Sequence, residues 1–325
     1  MNCLCCGRPL SDSANHDELL SGWHSLCVKK FFATNKLPDI DISEETLSQI
    51  AAESTTKGLT VPGVQKKLSL HLTPGKEPRL TLVNYPTGFI LKPQTEEFQA
   101  LPEAEYLIMQ MAAATGIKTV PFALIRMRTY HDSLAYITKR IDRILPNNKN
   151  QQLLMLAMED FCQLDGRLTQ DKYRGSYERC AKIITKYSVS PGLDLSEMFL
   201  RMLFSFAIGN SDMHLKNFSL IETNSGSQSY ILSDAYDMLP VSIVMPEDTE
   251  QFALTLNGKK RNLRRNDFMV FTDTYGIPAK SAEKMISKIV SMQSTYLSMC
   301  RSSYLPKSMI ESLEKLIIER ALSLR

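Results

Sequence analysis

The chain has 325 residues, 43% hydrophobic and 22% charged, with 38 Lys+Arg against 35 Asp+Glu. That length buries a core without covalent staples and predicts about two domains or lobes, while a net charge of +3 is too balanced for a wholesale nucleic-acid binder. The opening MNCLCCGRPL has no apolar leader, and no run approaches the ~18 apolar residues of a membrane span, so a cytoplasmic protein with no membrane contact is expected.

The seven cysteines are unevenly placed: Cys3, Cys5, Cys6 and Cys27 crowd one end, and Cys162, Cys180 and Cys300 are scattered. An odd count argues against a disulfide framework. Cys3-x-x-Cys6 followed by His24-x-x-Cys27 supplies four ligands of the type tetrahedral zinc uses, two from each tight turn. Cys5 is a substitute ligand, and the alternative is reduced thiols packed around Trp23 and Phe31 without metal. A short helix is expected from Ser43, where Ser43-Glu44-Glu45-Thr46 precedes Leu47, Ile50 and Ala51, and residues 53–63 read as a loop.

Alternation then takes over. Leu68, Leu70 and Leu72 predict a strand, followed by Leu80–Val83 and Phe89–Lys92. A helix from about Pro102 carries Ala104, Leu107, Ile108 and Met111 at helical spacing and stops at Gly116. Strands near Ala123–Arg128 and Leu134–Thr138 complete a mostly antiparallel sheet. Beyond about residue 150 the pattern is helical. Asp194-x-x-Glu197 reads as a capping box, short strands are expected near Phe218–Ile221 and Tyr230–Leu232, and two helices at roughly 281–300 and 308–323 close the chain. The second of these is opened by Ser308-x-x-Glu311. These patterns divide the chain into a small Cys/His segment at 1–52, a sheet-rich lobe at 53–158 and a helical lobe at 159–325.

The segment that carries chemistry is Gly209-Asn210-Ser211-Asp212-Met213-His214-Leu215-Lys216-Asn217-Phe218. Asp212 and Asn217 have the D-x-x-x-x-N spacing of a protein-kinase catalytic loop. Phosphoryl transfer needs a carboxylate to accept the substrate hydroxyl proton and hard oxygen ligands to hold Mg²⁺. Asp237 is the second metal-ligand candidate, with Asp234 behind it. Upstream, Lys92 ends an apolar strand as a phosphate-pairing lysine does, with Glu103 or Glu105 as its carboxylate partner. No G-x-G-x-x-G precedes Lys92 and no P-loop signature occurs, which makes a standard protein kinase and a P-loop enzyme poor fits. The run Lys259-Lys260-Arg261-x-x-Arg264-Arg265 is the strongest basic patch, suited to ATP phosphates, an acidic substrate or DNA, or else to a solvated helix entrance.

In order along the chain, Gly63-Val64-Gln65-Lys66-Lys67, Phe89–Pro93, Lys139-Arg140-Ile141-Asp142-Arg143, Glu159-Asp160-Phe161-Cys162-Gln163, Lys172-Tyr173-x-Gly175-Ser176-Tyr177, Gly209–Phe218, Tyr236-Asp237 and Leu256-Asn257-Gly258-Lys259-Lys260 resemble the HipA-like serine/threonine kinases, the toxins of bacterial toxin–antitoxin systems. The resemblance implies an α+β, bilobal protein-kinase-like fold with a cleft between residues near 63–161 and 209–260. It implies ATP and Mg²⁺ as cofactors, Asp212 as catalytic base, and Asn217 with Asp237 as Mg²⁺ ligands. Lys92 would meet the ATP phosphates, Glu159 and Phe161 would line the adenine hinge, and His214, which stands where such loops carry histidine, would also contact ATP. It implies autophosphorylation in the loop before Gly63; Pro62 occupies one of the positions usually phosphorylated, leaving Thr60 as the main candidate. The segment before Gly63 is short, as in HipT-type members, in which a separate small protein supplies the missing N-terminal subdomain. The implied partners are a HipB-like DNA-binding antitoxin, so that DNA is met only indirectly, and a protein substrate of the aminoacyl-tRNA synthetase class. The rival readings are a catalytically silent nucleotide-binding scaffold and a DNA-binding co-regulator.

Overall fold

The computed structural model describes residues 1–11, 13–42, 67–73, 75–82, 88–127, 133–144 and 154–325. The helix expected from Ser43, the loop at 53–63, Thr60 and Gly63–Lys66 lie outside the described residues. The chain forms two compact units, Met1–Tyr106 with Val120–Arg140, and Leu107–Thr119 with Ile141–Arg325.

The first unit is built on a six-stranded sheet ordered β1-β3-β2-β4-β6-β5, where β1 is Asp39–Asp41, β2 Leu68–Thr73, β3 Arg79–Leu82, β4 Phe89–Pro93, β5 Phe122–Met127 and β6 Ser133–Lys139. All pairs are antiparallel except β1 with β3. The alternation of β2 buries Leu68 and Leu70 while Ser69 faces out, the half-covered pattern expected of an antiparallel sheet. The Cys/His segment belongs to this unit. It contains two short helices that lack a readable period, His16–Ser21 and Ser25–Phe32. They flank Trp23, whose indole packs with Phe31 and Phe32, and both phenylalanines reach Phe89 on β4.

The helix with the alanine-rich stripe runs Leu101–Thr115, and Gly116 follows it at φ +86°. The second unit packs helices Tyr177–Tyr187, Ala279–Ser291 and Lys307–Leu324 around Pro191–Ile208, which is buried along nearly its whole length from Asp194 onward. Beside them lies a sheet ordered β11-β10-β9, with β9 at Met158–Asp160, β10 at Ser219–Glu222 and β11 at Tyr230–Leu232, and a separate two-stranded hairpin of β7 (Arg143–Ile144) and β8 (Leu154–Met155).

Three sequence expectations are corrected here. The central helix starts at Pro191, not at Asp194. Pro191 suits a first helical position because its missing N–H would lack a partner there anyway. Asp194 instead accepts from Ser188 Oγ at 2.6 Å and from the Leu232 amide at 2.7 Å, tying the helix to β11. The span expected at 281–300 is two helices, Ala279–Ser291 and Gln293–Arg301, meeting at Met292. The last helix follows Pro306, and no capping hydrogen bond from Ser308 forms its start.

Candidate active site

In the first unit, β4 places Lys92 opposite Tyr136 of β6, and the first turns of Leu101–Thr115 place Glu105 against it. Lys92 Nζ and a Glu105 carboxylate oxygen form a short, buried ion pair, the lysine 3% exposed and the glutamate fully enclosed. The structure therefore selects Glu105 over Glu103, whose carboxyl burial pushes above its ordinary range. The Tyr136 ring lies 5.2 Å from Lys92 Nζ, a cation–π arrangement that adds to the pair. An ammonium this enclosed is tolerable only with its counter-charge present.

In the second unit, Gly209 ends the buried helix at φ +71° and turns the chain into Asn210. A Cβ on Gly209 would stand 3.0 Å from Leu316 Cδ1, so the turn needs glycine for both conformation and room. The following loop holds itself by its own polar groups. Asn210 Oδ1 accepts from the Asp212 amide at 3.2 Å, and Asn217 Nδ2 donates to the Asp212 carbonyl at 2.8 Å. Asn217 sits in a 3-10 turn over Leu215–Asn217. Gly175 lets the neighbouring backbone approach, since a Cβ there would meet Leu215 at 3.2 Å.

Asp212 Oδ1 accepts the Tyr173 hydroxyl at 2.5 Å and lies 3.8 Å from His214 Nε2. Burial, the Asp212 charge and this hydrogen bond push the Tyr173 phenol well above its ordinary range, so it stays a donor. Tyr173 also meets the His214 ring edge-on at 5.0 Å. Sequence reading gave Tyr173 no role; the signal available was its place in Lys172-Tyr173-x-Gly175-Ser176-Tyr177.

The β10–β11 hairpin returns the chain to the end at which Asn217 sits. Leu220 pairs with Leu232 and the Ser233 amide donates to the Ser219 carbonyl, so residues after β11 come back beside those before β10. Tyr236 Oη donates to the Lys216 carbonyl at 3.0 Å and lies 2.5 Å from Ser219 Oγ. The next residue, Asp237, has φ +60°, a left-handed conformation that costs a non-glycine residue about 1–3 kcal/mol and gathers at functional sites. Asp234 is half-buried and faces the charges of Arg201 and Lys118, with burial pushing its carboxyl upward.

Glu159 is exposed on β9, opposite Leu220. Phe161 is fully buried, stacked on Phe218 at 5.6 Å, and its amide donates to the Phe218 carbonyl. Its ring is therefore a core element joining β9 to the segment that follows Asn217. Neighbouring Asp160 pairs with Lys216 at 2.6 Å, and Cys162 is buried. Much of the basic run is spent inside its own unit: Lys259 bonds Asp267 at 2.8 Å, Lys260 bonds Glu250 at 3.0 Å, and Arg265 pairs with Glu283. Cys3, Cys6, His24 and Cys27 come together, their ligand atoms all within 4.8 Å of one another.

The model for the HipA-like C-terminal domain family matches residues 59–296. A Haemophilus influenzae protein named "Putative kinase" is 25% identical over 95% of this chain and 94% of its own length. The serine/threonine-protein kinase toxin HipA of Shewanella oneidensis is 27% identical over 68% of this chain and 52% of its own, so the chain spans about half of that relative. Among solved structures, the Shewanella oneidensis HipA in complex with HipB and operator DNA superposes with a TM-score of 0.66 at 20% identity, covering 81% of this chain and 64% of that one. The Helicobacter pylori proinflammatory kinase CtkA gives 0.53 at 15% identity, covering 79% and 93%. The fold is thus the α+β fold of these kinases, and by its match across residues 59–296 the chain belongs to the HipA-like C-terminal domain family.

Proposed function

We propose that the protein is a cytoplasmic, ATP-dependent serine/threonine-protein kinase of the short HipT type, acting as the toxin of a bacterial toxin–antitoxin system. The observation that carries this reading is the Asp212 loop, a carboxylate pinned by the Tyr173 hydroxyl, with Asn217 bonded back to the Asp212 carbonyl. Such a carboxylate accepts the proton of a substrate serine or threonine hydroxyl as its oxygen attacks the γ-phosphorus of ATP and the bond from that phosphorus to the β–γ bridging oxygen breaks, releasing ADP. The donor set suits Mg²⁺: the amide oxygen of Asn217, which precedes β10, and the carboxylate of Asp237, which follows β11, are hard ligands. Bound there, the ion would neutralise phosphate charge. The charge partners around Asp234 favour Asp237 for this role. Lys92, oriented by Glu105, is the phosphate-contacting cation, His214 stays beside Asp212, and Glu159 lines the adenine hinge with the buried Phe161 packed behind it.

The near-complete match in length to the Haemophilus influenzae relative supports the short type. The Shewanella oneidensis complex of HipA with HipB and DNA supports a HipB-like antitoxin as partner, with DNA met through it. A small protein supplying the N-terminal subdomain, an aminoacyl-tRNA synthetase as substrate and autophosphorylation at Thr60 complete the proposal. Incubating wild type and Asp212→Asn with ATP and Mg²⁺, then mapping phosphopeptides, tests it. Wild type should label Thr60 and a synthetase, and the variant should be folded and silent. Full transfer by Asp212→Asn would overturn the assignment.

A further inference from the structure

We infer that the N-terminal segment is a structural zinc knuckle, with Zn²⁺ held by Cys3 Sγ, Cys6 Sγ, Cys27 Sγ and His24 Nδ1, which fastens this segment to the edge of the six-stranded sheet. This stands apart from the kinase reading and does not depend on it.

Tetrahedral zinc with Zn–S near 2.3 Å and Zn–N near 2.0 Å needs sulfur–nitrogen separations of about 3.5 Å and sulfur–sulfur separations of about 3.8 Å. His24 Nδ1 lies 3.4 Å from Cys6 Sγ and 3.9 Å from Cys27 Sγ, and all four ligand atoms fall within 4.8 Å of one another. The other ring nitrogen, Nε2, is 3.2 Å from the Pro9 carbonyl, an acceptor only. The proton therefore belongs on Nε2 and the lone pair of Nδ1 faces the three sulfurs, the arrangement a metal-bound histidine adopts. The His24 amide donates to Cys3 Sγ at 3.4 Å, a contact that suits a thiolate. The turn over Cys3–Gly7 is closed by the Gly7 amide on the Cys3 carbonyl. Four ligands fill the coordination sphere and leave no open position, so the site is structural rather than catalytic.

What the site fastens is visible in the neighbouring bonds. Strand β5 is the sheet edge, and both backbone groups of Leu124 are taken by the knuckle: its amide donates to the Leu4 carbonyl at 2.8 Å, and its carbonyl accepts Trp23 Nε1 at 3.0 Å. Leu4 adjoins Cys3 and Trp23 adjoins His24, so one ion would clamp both contacts. The edge strand is thereby covered at Leu124.

The full chain, purified under reducing conditions without a metal-binding tag, should carry about one zinc per molecule by elemental analysis. Cys6 is exposed, so its thiol should resist alkylation as purified and react once a strong chelator is added. Trp23 is the only tryptophan, so chelation should shift its fluorescence to the red and equimolar zinc should restore it. Cobalt(II) in place of zinc should show the intense visible bands of a tetrahedral thiolate site, retained in Cys5→Ser and lost in Cys6→Ser. Zinc below half an equivalent, another metal in its place, or prompt alkylation of Cys6 in the untreated protein would overturn the inference, and these readouts need no variant to fold.

Discussion

Asp212 takes its position from one distant neighbour, Tyr173 on its carboxylate, and two local ones, Asn210 on its amide and Asn217 on its carbonyl. Tyr173 is the one whose removal is cleanest, because phenylalanine keeps the ring against His214 and deletes only the donor. A hydrogen bond to a charged group contributes about 1.5–3 kcal/mol. Tyr173→Phe should therefore lower kcat by roughly ten- to a hundredfold while leaving KM for ATP close to wild type, and should lower the free energy of unfolding by no more than about 3 kcal/mol. Steady-state kinetics with both substrates varied would check it. An unchanged kcat would remove Tyr173 from the site.

At the scale of the element, the loop is aimed by the end of a helix. Pro191–Ile208 is buried on nearly all sides, so its last turn is rigid, and Gly209 converts that rigidity into a defined exit for the chain. Alanine at 209 would carry the left-handed penalty of about 1–2 kcal/mol and press its Cβ on Leu316. Gly209→Ala should lower the free energy of unfolding of the second unit by about 2 kcal/mol or more and weaken phosphotransfer with it. Urea denaturation beside an activity assay measures both. The same helix explains why a capping pattern misleads: the Asp194 carboxylate is engaged by Ser188 and β11, leaving the helix to start at Ser190-Pro191.

Across the whole molecule, the modest net charge of +3 conceals paired clusters. Burial pushes the Asp267 carboxyl up, but the bonds from Lys259 and the Arg264 amide reverse this and hold it below the ordinary carboxylate range. A carboxylate depressed in the folded state contributes stability that is complete above its unfolded value, near pH 4, and is lost as pH falls through its folded one. Wild type should therefore lose stability below about pH 4 more steeply than Asp267→Asn, as urea midpoints across pH 3–7 would show. The pairing of Lys259, Lys260 and Arg265 also leaves less of the basic run for phosphate contact than its spacing suggests. Among the described residues, no helix is long and apolar enough to cross a membrane.

The sequence by itself determined the strands from Leu68 to Lys139, the Leu101–Thr115 helix, the Asp212–Asn217 spacing and the Cys/His set, because each rests on a short-range period or a local ligand pattern. It determined much less where stability comes from distant partners. The helices at His16–Ser21 and Ser25–Phe32 are too short to carry a period and are held by Trp23 and the aromatic rings around it. The choice of Glu105 over Glu103 and the bond from Tyr173 to Asp212, across 39 positions, were decided only by tertiary packing. So was the bond from the Tyr236 hydroxyl to the Lys216 carbonyl, next to Asn217. Buried charge must find its counter-charge, and no local rule says which of several candidates the fold will bring within reach.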